Sequence, residues 1–275
     1  VMGVLTLSPE SPYAPSVFDD PAEAAAYVDG MIAEGADIVD VGLESANKRF
    51  DVRDADWELD RLDLAFETLD RVEGEAVYSL ETRYAEVAEA ALDGRFDMVN
   101  DIAGFADPRL PEVCADRDAA VVKMAGPGDL ERPGAVESVD DIYDVLAEHL
   151  TEQTIVDPAF GGWSEAKTLA DDRETFRRLR EFRGLGQPIL VSINRKNFLR
   201  ELAGRSTEEA LPVSLAATSM AVERGAHVIR THDVAETRDA ALIGHAFASK
   251  RSRTDRVEEL DATTEREVGR HVDRL

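Results

Sequence analysis

The sequence predicts a single-domain (β/α)8 TIM barrel followed by a short, charged helical tail, with the barrel taking residues 1–249 and the tail 250–275. Three observations carry this expectation. Short apolar runs of strand length alternate from end to end with amphipathic stretches of helical period. About eight such units fit into about 250 residues, which is the size and count of this barrel. Polar residues with chemical potential gather where nearly every apolar run ends. A closed barrel collects those ends at one mouth, whereas a doubly wound open sheet, the alternative, spreads them along a line.

The predicted strands are 1–7, 36–42, 76–80, 97–102, 119–124, 153–157, 188–193 and 226–230. Amphipathic segments such as DPAEAAAYVDGMIAEG and TRYAEVAEAALDG lie between them. Glycine closes several helices just before the next strand, as in EGADIVDVG, DGRFDMVND and ERGAHVIR, a pattern expected of a helix C-cap leading into a buried parallel strand. The tail carries Val257, Leu260, Val268, Val272 and Leu275 at loosely helical spacing and reads as a solvated terminal helix. No linker composition divides the chain.

Composition narrows the function classes. The 275 residues are 44% hydrophobic, enough to bury a substantial core. With 57 Asp and Glu against 31 Lys and Arg, the formal charge is −26. Such a chain repels nucleic acid and anionic membranes, so neither is expected as a partner. Acids spread along the whole length, with few lysines, resemble proteins of salt-accumulating cytoplasms, so full folding is expected to need salt that screens self-repulsion. Cys114, the only cysteine, excludes an internal disulfide, and PEVCADRD places it on a packed helix face. A reducing, cytoplasmic setting fits, with no apolar run long enough to span a membrane and no signal peptide. The chain opens at Val1 already inside an apolar run, VMGVLTL, so native residues are expected to precede it, whether a few or a fused domain.

The strand ends supply Thr6, Ser8 and Glu10, then Asp40, Glu44, Ser45 and Asn47, then Glu81, Asn100, Asp101, Lys123 and Asp157. The last two strands add Asn194, Arg195, Lys196, Arg230, His232 and Asp233. Acids and amides dominate the early ends and cations the seventh and eighth, where many barrels bind phosphate. Arg230 offers a planar fork for phosphate oxygens, with His232 a donor two residues on. Duller roles compete: Asp233 as a helix cap, Asp40 and Asp101 as holders of loop amides, Arg195 as the partner of an acid. His149, His227, His245 and His271 carry no functional signal.

These motifs resemble the dihydropteroate synthase family, (β/α)8 barrels that join a pterin pyrophosphate to p-aminobenzoate. MGVLTLSPES is similar to that family's MGILNVTPDS, GADIVDVGLES to GADIIDVGGEST, VNDIAG to INDISG, DPAFG to DPGFG, NRKNF to SRKSF, and GAHVIRTHDVAET to GAxIVRVHDVxET. The matches run in order from Val1 to about Phe247. The resemblance implies that Asn100, Asp157 and Lys196 line a pterin slot, the carboxylate accepting two N–H donors of the aminopyrimidine edge. It implies that Arg230 and His232, with Ser8, hold the leaving pyrophosphate, with magnesium on the same oxygens. A homodimer is expected on the same ground.

Departures from the family pattern fall on the pyrophosphate and arylamine side. Thr6 stands where the family has an Asn near the metal, Ala46 and Asn47 replace its Thr and Arg, and Glu81 replaces a pterin-binding Asp. The family's MHM reads VKM here, which puts Lys123 in place of a His and, with Glu81, among the substrate contacts that the resemblance implies, and Trp163 is placed to stack on a flat ring. Two other functions remain open at this stage: a barrel that passes a methyl group from a folate to a corrinoid protein, and a non-catalytic pterin-binding paralogue.

Overall fold

All eight predicted runs become parallel strands. In a computed structural model, which describes residues 1–8, 14–44, 52–126, 128–130, 136–161 and 166–248, they are β1 (Met2–Thr6), β2 (Ile38–Gly42), β3 (Val77–Glu81), β4 (Met98–Asp101), β5 (Ala120–Met124), β6 (Thr154–Asp157), β7 (Leu190–Val191) and β8 (Val228–Thr231). The helices between and after them are α1 (Pro21–Glu34), α2 (Ala55–Leu69), α3 (Ala85–Asp93), α4 (Leu110–Asp116), α5 (Val139–Ala147), α6 (Leu169–Arg177), α7 (Asn197–Ala203), α8 (Leu211–Glu223) and α9 (Val234–Phe247). The predicted tail lies outside the described residues.

The strands pair in the order β6-β5-β4-β3-β2-β1-β8-β7. A parallel bridge between Val156 and Ile189 joins the two ends of that order, so the sheet returns on itself as a barrel. The β7 run is shorter than predicted because Pro188 has no N–H to offer the ladder, and because the chain leaves the sheet for a turn in which Arg195 takes a φ of 54°.

Local signals set the helix ends. Asp20 accepts from the Ala22 and Glu23 amides ahead of Pro21, and Thr168 and Asp171 form a reciprocal capping box at α6. Gly35 closes α1 at a φ of 104°, as its position predicts. Gly94 closes α3 at a φ of −101°, and space is the reason for glycine there: a β-carbon would sit 2.5 Å from the Phe66 ring.

Strand parity sorts the side chains. Val39, Val41, Leu80, Val99 and Val121 point outward into clusters with the helices. Met2, Met98, Val122 and Leu190 point inward, with Ile38, Ala120, Ile155 and Val228 against them, and fill the barrel with an apolar plug. Two residues further along the strands, the inward positions are Asp40, Ser79, Asn100, Asp157 and Arg230. The plug is therefore the floor on which a polar layer rests.

Parity also corrects one expectation. Lys123 follows the inward Val122 and so turns outward, away from the mouth. Its Nζ donates to the Val145 and Glu148 carbonyls, at 2.6 and 2.7 Å, where α5 ends. The ammonium satisfies carbonyls that the helix leaves open and complements its dipole. Lys123 is therefore a structural cap and not a substrate ligand. Cys114 is buried as expected, and burial pushes its thiol up to about 12.

Candidate active site

Most of the polar layer at the carboxyl ends of the strands is tied into one hydrogen-bonded network centred on Asp40. Asp40 of β2, fully buried, accepts from Ser79 Oγ of β3 at 2.6 Å, Asn100 Nδ2 of β4 at 2.9 Å and Arg230 Nε of β8 at 2.7 Å. The same guanidinium donates through Nη2 to Glu81 Oε2 at 2.7 Å. Asp40 is therefore a hub that fixes Asn100 and Arg230, not a holder of loop amides. Asp101 does have that quieter role, accepting from the Ala103 and Phe105 amides at 2.7 and 2.5 Å.

Burial opposes the charge of Arg230, yet Asp40 and Glu81 beside it raise its pKa above the ordinary arginine value. Burial raises the Glu81 carboxyl to about 7, against the lowering influence of Arg230 and with the help of Asp40. His232 is not a cation: burial, and then the Arg230 charge, depress it to about 3, so near neutral pH it is an imidazole with one N–H to donate.

Asp157 and Lys196 face the same space. Burial raises the Asp157 pKa, while the Ala159 amide, Lys196, Arg230 and Lys167 oppose that rise. Burial lowers Lys196 to about 8, with Asp157 the main influence the other way. Gly161 makes room for the lysine side chain, since at its φ of 109° a β-carbon would stand 3.0 Å from Lys196 Cδ and 3.2 Å from Nζ. Asn100, Asp157, Lys196 and Arg230 thus meet at one mouth, as the motifs predict.

The NRK and THD motifs divide their labour. Asn194 and Arg195 both bond Asp233, the latter as a fork with both carboxylate oxygens at 2.9 Å. Asp233 occupies the N-cap position of α9 but makes no side-chain cap there, because its carboxylate is committed to that pair. Asn194 also accepts from the His232 amide. The turn after β7 and the start of α9 are therefore locked together, which sets the positions of Lys196 and His232. His227 Nδ1 accepts from the Ile189 amide and is structural. Thr6 is 8% exposed and Ser8 is fully buried. Glu10, Ser45, Ala46, Asn47 and Trp163 lie outside the described residues.

Several contributors escape the strand-end reading. Arg83, just past β3, pairs with Glu44, and Thr82 Oγ1 donates to Glu58 of α2 at 2.5 Å. With Glu81 and Ile102 these residues line a void of about 10 Å³. Glu58 had a readable signal: it shares the buried stripe of α2 with Ala55, Leu62, Ala65 and Leu69. Lys167 donates to the Ala159 carbonyl at 2.6 Å and pairs with Asp172, which receives the Gly161 amide. That pair braces the loop under Asp157 and Lys196. A separate cavity of about 190 Å³, lined by residues including Tyr143, Arg178 and Phe182, lies on the helical exterior away from this mouth.

Glu58 gives a testable pH dependence. Burial pushes its carboxyl up to about 8, against the Thr82 hydrogen bond and the Arg83 charge. The folded chain thus holds this proton more tightly than the unfolded chain, and folding binds a proton between about pH 4.5 and about 8. Its contribution is most favourable at the acid end and declines as pH rises through that window. We expect Glu58→Gln to lose less Tm than the wild type between about pH 5 and about pH 8; parallel curves would refute this account.

Residues 2–232 match the pterin binding enzyme family. The chain is 32% identical over 263 residues to a Haloferax volcanii protein named "Probable bifunctional folylpolyglutamate synthase/dihydropteroate synthase"; the match takes in 91% of this chain and 30% of that one. The chain spans about a third of the length of such halophilic relatives. It is 31% identical over 258 residues to the "Inactive dihydropteroate synthase 2" of Mycobacterium bovis, covering 86% of this chain and 79% of the relative. Its fold is similar to the dihydropteroate synthase of Thermus thermophilus solved in complex with 4-aminobenzoate, with a TM-score of 0.72 and 30% identity across 90% of this chain and 93% of that one. The described residues contain no helix long and apolar enough to cross a membrane. With the barrel, the Asp40 hub and the Asp157 and Lys196 pair in place, the chain belongs to the pterin-binding enzymes, as a member of the dihydropteroate synthase family.

Proposed function

We propose that the chain is a dihydropteroate synthase-type transferase that condenses 6-hydroxymethyl-dihydropterin pyrophosphate with p-aminobenzoate or a related arylamine and releases pyrophosphate. The observation that carries this reading is the convergence of Asn100, Asp157, Lys196 and Arg230 on one barrel mouth. The aminopyrimidine edge donates to the Asp157 carboxylate, with Asn100 and Lys196 completing the polar rim. The pyrophosphate lies against Arg230 and His232, and Ser8 stays in the reading as a neighbour of that group. The bond between the pterin methylene and the pyrophosphate oxygen breaks with its electron pair on oxygen. The arylamine nitrogen bonds the same carbon and gives up its proton to the departing group. A fixed guanidinium and imidazole N–H strengthen their contacts as charge builds on that oxygen, so they stabilise the transition state more than the ground state.

Among the described residues, the donors around Thr6 do not make a site for a resident magnesium ion. Thr6 offers one neutral hydroxyl, and the described residues hold no group of three or more His, Cys, Asp or Glu suited to a metal. In the proposed reading magnesium is carried by the substrate's own phosphate oxygens, beside Thr6. The reading also includes a cytoplasmic location, a salt requirement and a homodimer. The last is supported by Met220 of α8 and Leu242, Ile243 and Phe247 of α9, which expose large apolar side chains.

A second reading, a pterin-binding paralogue without turnover, is favoured by one observation: Arg230 is already bonded to two carboxylates. Pyrophosphate release from the pterin pyrophosphate, assayed with and without p-aminobenzoate across a range of potassium chloride, separates the two. Release that depends on the arylamine is expected. Pterin binding with no release at any salt, with several arylamines tried, would establish the paralogue.

A further inference from the structure

The glutamate that ends β3 holds the arginine that ends β8. We propose that Glu81 is a positioning residue that draws the Arg230 guanidinium onto the carboxylate side of the mouth and thereby sets how strongly the site binds a phosphoryl-type anion. This deepens the reading of Arg230 as the pyrophosphate contact and rests on it.

The geometry is specific. Arg230 spends Nε on Asp40 and Nη2 on Glu81, both at 2.7 Å, with its side chain 18% exposed. Asp40 cannot be the adjustable partner, because Ser79 and Asn100 also hold it in place. Glu81 is the longer acid at the rim, and its neighbours on this side are charged: Arg230, Asp40, Arg83 and Glu44, with Glu58 behind them. An anion reaching Arg230 must compete with the Glu81 carboxylate for the guanidinium and meets its like charge. A proton on Glu81 removes that charge, and burial brings this titration up to about 7. Anion affinity is therefore weakest above neutrality and rises as pH falls through that region.

Inorganic sulfate, which keeps both charges throughout, is the probe, measured by calorimetry on the whole chain at about pH 6 and about pH 8. Wild type is expected to bind sulfate more tightly at the lower pH. Glu81→Gln should bind it about tenfold more tightly than wild type at the higher pH and lose the part of the pH dependence centred near 7, leaving the part set by Lys196, which titrates at about 8 in the same mouth. Glu81→Asp keeps the charge but withdraws it by one methylene, and is expected to fall between the two; it also serves if the glutamine variant does not fold. Unchanged or weaker sulfate binding by these variants overturns the proposal, as does a wild type whose affinity ignores pH. Pyrophosphate release from the pterin substrate is scored separately. A wild type that releases none while the sulfate results hold would fail the transferase reading and leave the Glu81 assignment standing.

Discussion

Arg230→Ala is expected to lower pyrophosphate release by roughly two orders of magnitude, the scale of losing one preorganised donor to a developing charge. Binding of a pterin that lacks the pyrophosphate should change little. The network adds a second consequence. Removing the guanidinium leaves Asp40 and Glu81 buried without their common partner, a loss of about 3–5 kcal/mol when one side of a buried ion pair is deleted. Thermal unfolding should show that loss, and Glu81→Gln placed on top of Arg230→Ala should recover part of the stability and none of the turnover, because it removes one stranded charge without supplying an anion contact. Arg230→Lys should regain a fraction of the rate, since an ammonium reaches one carboxylate or one phosphate oxygen but cannot make the fork. An Arg230→Ala variant with undiminished release would make this arginine a strut of the barrel alone.

Much of this was legible in the residues because a parallel barrel writes itself twice. Apolar runs mark the strands, and the positions just past them mark the mouth, so all eight strands and the meeting of Asn100, Asp157, Lys196 and Arg230 could be read in advance. Parity held information that the motif reading passed over. Val122 is inward, so Lys123 had to be outward, and its alignment with a histidine of the family pattern was outweighed by the two-residue period of a strand. What a linear sequence does not display is who pairs with whom across the barrel. Asp40 and Arg230 are 190 residues apart, and nothing local distinguishes an aspartate that holds loop amides from one that holds an arginine. Asp233 shows the same limit: the sequence gives a good helix cap, but Arg195 and Asn194 take the carboxylate first. Glu58 lay in view on an apolar helical stripe, yet its partners Thr82 and Arg83 come from another element.

Asp157 is the sharper test of pterin recognition, because the right substitution separates charge from shape. Asp157→Asn keeps an oxygen for the Ala159 amide, which now donates to Oδ1 at 2.8 Å, but turns half of the acceptor pair into a donor that faces the N–H groups of the aminopyrimidine. Loss of a charged acceptor and the gain of an unmatched donor together predict a fall in pterin affinity of roughly two to three orders of magnitude in calorimetry. The fold should not suffer. Burial raises the Asp157 pKa in spite of Lys196, Arg230 and Lys167, which means that the folded chain disfavours the charge this residue carries, and a neutral isostere relieves that burden. Tm is therefore expected to hold or rise while binding collapses. Lys196 reports on the same change: Asp157 is the main influence holding its pKa up at about 8, so in the variant the lysine should titrate at lower pH, readable by NMR of its side chain. Full pterin affinity in Asp157→Asn would remove this carboxylate from the binding site, whatever the lysine does.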